Sequence, residues 1–291
     1  MIFRSCILIL ASGGGAMDIR GRTLPPGWYP GSRDEIEQVV AGWQAASTAV
    51  SGIALAAIAP HAGWFYSGRL AWAAWQTACE ADTLVILGGH RPAGSSLLVS
   101  MQDAFDTPLG LIQADEETRS LLFAGLETSA DKQADNTLEV HLPFAAYRYP
   151  KAKVVMARVP NDARAVDFGR HLAEVAAKSM RRFFVLGSTD LTHYGPSYGF
   201  EPGGEGAEGK AWARAADDRI IQAFMSFNDA EALKAANRGA ACSVGAALAA
   251  LSYAKARGAT KSELLGRSSS DEIMKGSSFV GYCAVAYRQE D

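Results

Sequence analysis

The sequence has little with which to staple or tether itself. Its four cysteines, Cys6, Cys79, Cys242 and Cys283, are too few and too widely spaced for a disulfide framework or a paired CxxC zinc module. It has no excess of positive charge: 28 Lys and Arg against 31 Asp and Glu leave a net charge of −3, which argues against nucleic acid and membrane surfaces as partners. No apolar run is long enough to span a bilayer. Residues 1–11 (MIFRSCILILA) are the nearest approach, and they lack the charged start and clear cleavage site of a secretory signal. Residues 1–16 are therefore expected to be a disordered extension or an over-long start with Met17 as the initiator, and the protein is expected to be cytoplasmic. The 11 prolines and 29 glycines are scattered, which excludes collagen-like and low-complexity architectures. Several signatures are missing too. There is no G-x-x-x-x-G-K-[ST] loop and no G-x-G-x-x-G after a first strand, and GSTDL (187–191) is not the G-x-S-x-G elbow of an α/β-hydrolase.

What remains is a chain that can bury a large core, 48% hydrophobic and 20% charged. Short apolar runs bounded by Gly or Pro, at 51–60, 83–89, 153–160, 182–187 and 278–287, read as strands buried on both faces. Amphipathic stretches at 34–48, 68–80, 115–125 and 163–179 read as helices, and 240–256 as a small-residue helix packed deep inside. Strands alternating with helices predict an α/β fold: one domain, 17–291, with a mainly parallel central sheet flanked by helices. No linker and no solenoid period interrupts it. The acidic, Gly-rich stretch 201–209 (EPGGEGAEG) is expected to be a mobile surface loop that could close over a nearby cleft.

Only five histidines are present, and their positions carry most of the functional information. His61 follows the strand at 51–60, His90 the strand at 83–89, and His193 lies a few residues beyond the strand at 182–187. In an open α/β sheet ligands bind at the carboxyl ends of strands, so these three are expected to converge in one cleft. Neutral imidazoles suit Fe, Cu, Zn or Ni. Asp190, three residues before His193, could orient that ring or act as a ligand. Cys242 is placed at the start of the buried helix, where the helix dipole would lower its pKa and favour the thiolate a metal takes; a buried small hydrophobe is the equally weighted alternative. Cys79 and Cys283 read as core, and His171, inside a helix, as exposed or capping.

Seven blocks in order carry a resemblance: WYPGS (28–32), APHAGWFYSG (59–68), LGGHR (87–91), EVHLPF (139–144), STDLTHYG (188–195), CSVGAALAAL (242–251) and SSFVGYCAVAY (277–287). Together they resemble the Memo family, whose bacterial and archaeal members are called AmmeMemoRadiSam system protein B, from about Arg20 to Tyr287. The resemblance implies a fold similar to class III (LigB-type) extradiol dioxygenases, which hold non-haem iron through two histidines and a carboxylate. By motif the histidines are His61 and His90, with Cys242 at the carboxylate position. His193 matches the acid/base histidine, or serves as a fourth ligand. Asp190 and Glu139 would fix ring orientations, His141 would remain in the cleft, and Tyr66, Trp64 and Tyr194 would form an aromatic wall. Fe(II) is the expected metal, then copper, with zinc last; the soft thiolate keeps the choice open. The implied activity is a metal-dependent oxidoreductase, in its sharpest form an O2-dependent dioxygenase acting on a catechol-like aromatic. The alternatives are an adaptor for phosphotyrosine peptides with a vestigial metal site, for which only Arg69 and Arg91 lie near the histidine motifs, and a partner of radical-SAM and AMMECR-type proteins. Two departures stand out: LGGHR replaces the family's usual LGPNH or LGPSH, and Asn136 stands in a region where another histidine is common.

Overall fold

The computed structural model describes residues 16–45 and 53–290; most of the expected N-terminal extension lies outside them. The expected strand at 51–60 is β2 (Ala56–Ala59), that at 83–89 is β3 (Thr83–Arg91), and those at 153–160 and 182–187 are β8 (Lys153–Pro160) and β9 (Phe183–Ser188). The last is β12 (Phe279–Arg288). In the order β2-β9-β3-β8 the four inner strands run parallel, the heart of a nine-stranded sheet. Antiparallel pairings extend it on one side through β12, joined by β10 (His193–Tyr194) and β11 (Lys261–Ser269). On the other side β4 (Leu97–Ser100) runs antiparallel to β8 and carries β7 (Thr128–Asp131). A separate small sheet joins β1 (Ile19–Arg20), β5 (Ala104–Thr107) and β6 (Gly110–Gln113). The fold is a single mixed α/β unit.

The apolar runs are continuous because each strand feeds two cores. Val85 and Leu87 face one core while Leu84 and Ile86 face the other, and Val185 and Leu186 divide the same way. The period-2 alternation of strand side chains thus places a hydrophobic residue on each face. Helices α1 (Arg33–Ala45), α2 (Arg69–Thr77) and α5 (Leu142–Arg148) cover one face. The other is covered by α6 (Arg164–Lys178), α7 (Gly206–Met225), α8 (Asp229–Ala235) and α9 (Val244–Ala256), with α3 (Glu116–Gly125) at its margin. Two single turns, α4 (Asn136–Glu139) and α10 (Ser270–Ile273), flank the strand ends. Among the described residues no helix is long and apolar enough to cross a membrane.

Some expectations change. The stretch 201–209 is tethered rather than free: the Tyr194 hydroxyl donates to the Gly204 carbonyl (2.7 Å) and accepts from the Gly203 amide (3.0 Å), and α7 begins within the stretch. His171 is half-buried, packed over Gly125 at the end of α3 with its Nδ1 3.9 Å from Glu174. Cys283 is core, as expected, whereas Cys79 is half-buried and donates to the Phe183 carbonyl.

Asp217 of α7 is a buried carboxylate whose Oδ1 accepts from the Thr192 amide at 3.0 Å. Burial pushes its pKa up to about 6. A raised folded-state value means that its contribution is fully present below about pH 4 and is lost as the pH rises through 6. At 1.36 kcal/mol per pH unit this amounts to at most about 3 kcal/mol. Asp217→Asn keeps the acceptor without the charge and should gain about 2 kcal/mol on the wild type between pH 4.5 and 7.5 in urea unfolding; a gap independent of pH would refute the assignment.

Candidate metal centre

The site is built where the parallel strands end. Beyond β2 the chain turns through Pro60, and the His61 amide donates to Asp190 Oδ1 at 2.7 Å. That bond ties the end of β2 to the segment beyond β9 and buries the His61 ring. His90 sits inside the last turn of β3 rather than after it, because the register with β8 slips between Gly88 and Arg91. The slip needs Gly89, whose φ of +93° disfavours any side chain and whose added Cβ would strike Arg158. Its amide donates to Thr137 Oγ1 at 2.6 Å, and Thr137 in turn bonds to Asp135, which Arg158 bridges to Asp131. The Gly-Gly sequence before His90 therefore makes a bulge that turns the ring outward.

Cys242 comes from the opposite layer. It precedes the start of α9, with its amide donating to the Asp190 carbonyl (3.3 Å) and its carbonyl accepting from Asn161 Nδ2 (3.1 Å). Asn161 Oδ1 accepts from the Gly245 amide, which holds the helix start in place. One ligand atom each from His61, His90 and Cys242 then falls within 4.8 Å of the others. The closest approach, Cys242 Sγ to His61 Nε2, is 3.3 Å, and the two imidazoles meet edge to face at 5.1 Å. An ion with bonds of 2.0 to 2.3 Å to N and S holds its ligand atoms roughly 3.5 Å apart, so this donor set fits a metal after small side-chain shifts. His193 is not brought into the set. Its Nε2 lies 4.0 Å from Asp190 Oδ2, buried and without a hydrogen-bond partner.

A family description, Memo-like protein, matches residues 20–286. The chain belongs to the Memo family. It is similar to a MEMO1 family protein of Methanosarcina barkeri, 31% identical over 79% of this chain and 85% of the relative. One from Thermococcus onnurineus is 31% identical over 80% and 87%, and one from Methanococcoides burtonii 29% identical over 92% and 99%. An uncharacterized Escherichia coli K12 protein of known crystal structure superposes with a TM-score of 0.48 at 16% identity, over 79% of this chain and 98% of that one.

Electrostatics separate the roles within this Memo site. Burial holds His61 far below the ordinary imidazole range, with the neighbouring His90 and His193 adding to the effect, and it lowers His193 as well. Asp190 is pushed up to about 6 by burial, against the opposing pull of the His61 amide. Cys242 corrects an expectation: although it directly precedes the N-cap of α9, burial and then the Asp190 charge push its thiol up to about 12. Without a cation beside it the group is a thiol, so a metal must displace its proton.

A cavity of about 690 Å3 opens above, lined by His61, His90, Asp190 and His193. Its aromatic wall is Trp28, Phe65, Tyr66, Tyr198 and Tyr282. Of the expected wall residues only Tyr66 takes part. Trp64 stacks on Phe144 at 3.8 Å in the core, and Tyr194 packs against Phe279. Asn136, at the second departure from the family pattern, does line the cavity. Two expected catalytic residues lie elsewhere. Glu139 touches none of the rings; it accepts from the amides of Thr23 and Leu24 and from the hydroxyls of Thr23 and Tyr29, fastening the segment that leads to Trp28. His141 is fully buried behind His61 and reaches it only through Ser188. Ser188 is visible in the STDLTHYG block, but nothing in the sequence singles out Trp75, whose indole donates to His141.

Proposed function

We propose that the chain is a metal-dependent oxidoreductase that holds Fe(II), or alternatively copper, through His61, His90 and Cys242, and acts with O2 on a small catechol-like aromatic. The observation that supports this most is the convergence of the three donors, two of which, His61 and His90, line an aromatic-walled cavity together with His193, whose Nε2 has no hydrogen-bond partner. A bound ion of this kind would supply Lewis acidity and redox chemistry toward substrate oxygens. The remaining roles belong to the chain. Tyr66, Tyr198 and Tyr282 offer faces to an aromatic ring and narrow the access of water. Neutral His193 accepts a phenolic proton at Nε2 and returns it, with Asp190 Oδ2 stabilising the imidazolium between the two events.

The phosphopeptide alternative finds less support. Among the described residues no arginine lines the cavity and its one lysine is Lys275, while Arg91 is turned away to the Ser96 carbonyl. Cooperation with radical-SAM and AMMECR-type proteins rests on the family resemblance alone. The test is oxygen uptake by the Fe(II)-loaded protein over a panel of catechols, wild type against His193→Gln. Turnover that falls about 100-fold or more in the variant while its iron content is unchanged supports the reading; no uptake by the wild type with any catechol sinks it.

A further inference from the structure

Behind the metal ligands runs a buried chain of hydrogen bonds that takes its direction from Trp75 and competes, at His61, with a bond from that ring to the Ser188 main chain. It starts at Trp75, whose indole N–H can only donate and lies 3.4 Å from His141 Nδ1. His141 must then carry its proton on Nε2, which is 3.1 Å from Ser188 Oγ. The Ser188 hydroxyl, fully buried, has its own hydrogen to place, and His61 Nδ1 at 2.9 Å is the remaining partner. His61 is left with its proton on Nε2, aimed at Cys242 Sγ at 3.3 Å. The thiol donates in turn to the Asp190 carbonyl at 3.7 Å, a group that can only accept. The donor-only indole sets the polarity of the series from its Trp75 end; at the other end the thiol can donate to the Asp190 carbonyl or to Ser243 Oγ, and each link strengthens the next.

We propose that this relay locks metal-free His61 in the Nε2–H tautomer, and that Trp75 and His141 are positioning residues that oppose metal capture until the relay is reversed at Ser188. The proton balance is simple. A metal ion displaces one proton to solvent, from Cys242 Sγ. The His61 ring stays neutral by giving up its Nε2 proton and gaining one at Nδ1. The Ser188 hydroxyl, which points at Nδ1 in the metal-free protein, must rotate away and is left without an acceptor while His141 still donates to it. Removing the indole N–H frees His141 to carry its proton on Nδ1 and accept from Ser188, so that the relay can run from His61 toward His141. This inference depends on the proposed function only where it concerns metal affinity; the tautomers belong to the metal-free chain.

The experiment uses the full chain stripped of metal, with 15N-labelled histidine, and reads tautomers from long-range 1H–15N correlations at pH 7. Both His141 and His61 are expected as Nε2–H. Trp75→Phe, which keeps an aromatic ring in the core, should shift His141 toward Nδ1–H and bind Co(II) about tenfold tighter, the usual scale for relieving one unsatisfied buried hydroxyl. A metal-free wild type with His61 as Nδ1–H, its ring proton turned to the main chain of Ser188, overturns the lock. So does a Trp75→Phe protein that binds Co(II) no tighter than the wild type, the outcome expected if Trp75 only supports packing. Wild-type protein that binds no Co(II) while its histidines show the stated tautomers would count against the metal site and leave the relay standing.

Discussion

Cys242→Ala should lose metal affinity by about 100- to 1,000-fold while the metal-free protein loses only about 1 to 2 kcal/mol of stability, the cost of leaving the His61 ring without its sulfur partner. The two effects separate because the thiol is a poor structural anchor. Its contacts with the Asp190 carbonyl, Thr189 Oγ1 and Ser243 Oγ are 3.7 to 3.9 Å long, the one to His61 Nε2 is 3.3 Å, and the substitution removes a single sulfur atom. The metal has no such substitute. A full set of four ligands gives a structural zinc site about 10 to 16 kcal/mol, so each ligand is worth roughly 3 to 4 kcal/mol, or two to three decades in affinity. Competition against a chromophoric chelator measures the first effect, and urea unfolding of metal-free protein the second. Thermal melts give a further check, since an ion binding only the native state raises Tm by mass action. Wild type should be stabilised by added Fe(II) or Zn(II), and Cys242→Ala should not. Equal affinities in the two proteins would remove Cys242 from the site.

Gly245→Val should destabilise the fold by about 3 kcal/mol or more and weaken metal binding along with it. Helix α9 lies so close to β8 that a Cβ at position 245 would run into the main-chain carbonyl of Pro160 and approach that of Val159. Backbone cannot yield as a flexible side chain can, so the first turn of α9 must lift. Lifting it breaks the Gly245 amide bond to Asn161, the same side chain that holds the Cys242 carbonyl. Gly42→Ala is the control: it sits in α1 with nothing within 4 Å of its would-be Cβ, and should leave stability the same or slightly higher. Urea unfolding distinguishes them. A Gly245→Val protein within 1 kcal/mol of wild type would show that α9 has room to move.

How much of this was legible in the sequence depends on distance along the chain and depth in the fold. The inner strands and their flanking helices could be read because their signal is local: an apolar run, then a periodic one. His61 and His90 could be placed because strand ends are the open points of such a sheet. Cys242 came mainly from the resemblance, and its acidity was misjudged because a helix start confers charge stabilisation only where burial does not outweigh it. Glu139 and His141 share one motif and look like site residues, yet one turns toward Thr23 and Tyr29 while the other points into the layer beneath the cleft. Which way adjacent residues of a single helical turn face depends on what packs against them, and those partners are distant in sequence. Helix α7 went unnoticed because its start is buried in the glycine-rich stretch, and the strands β4 to β7 are too short to show a period.

The pairing of the inner strands bears on how the molecule is made. Ala56 pairs with Val185, and Ile58 with Val285, so β2 finds both its neighbours far along the chain. Loops of that length close slowly, and contacts of such high sequence separation form late on the folding route. His61 hangs from β2, His90 lies in β3, which meets β2 only through β9, and Cys242 precedes the helix laid over them, so none of the three donors can meet the others before that closure. A metal ion at this site would therefore not nucleate the fold as it does a zinc finger; it would be taken up by a chain that has already finished folding.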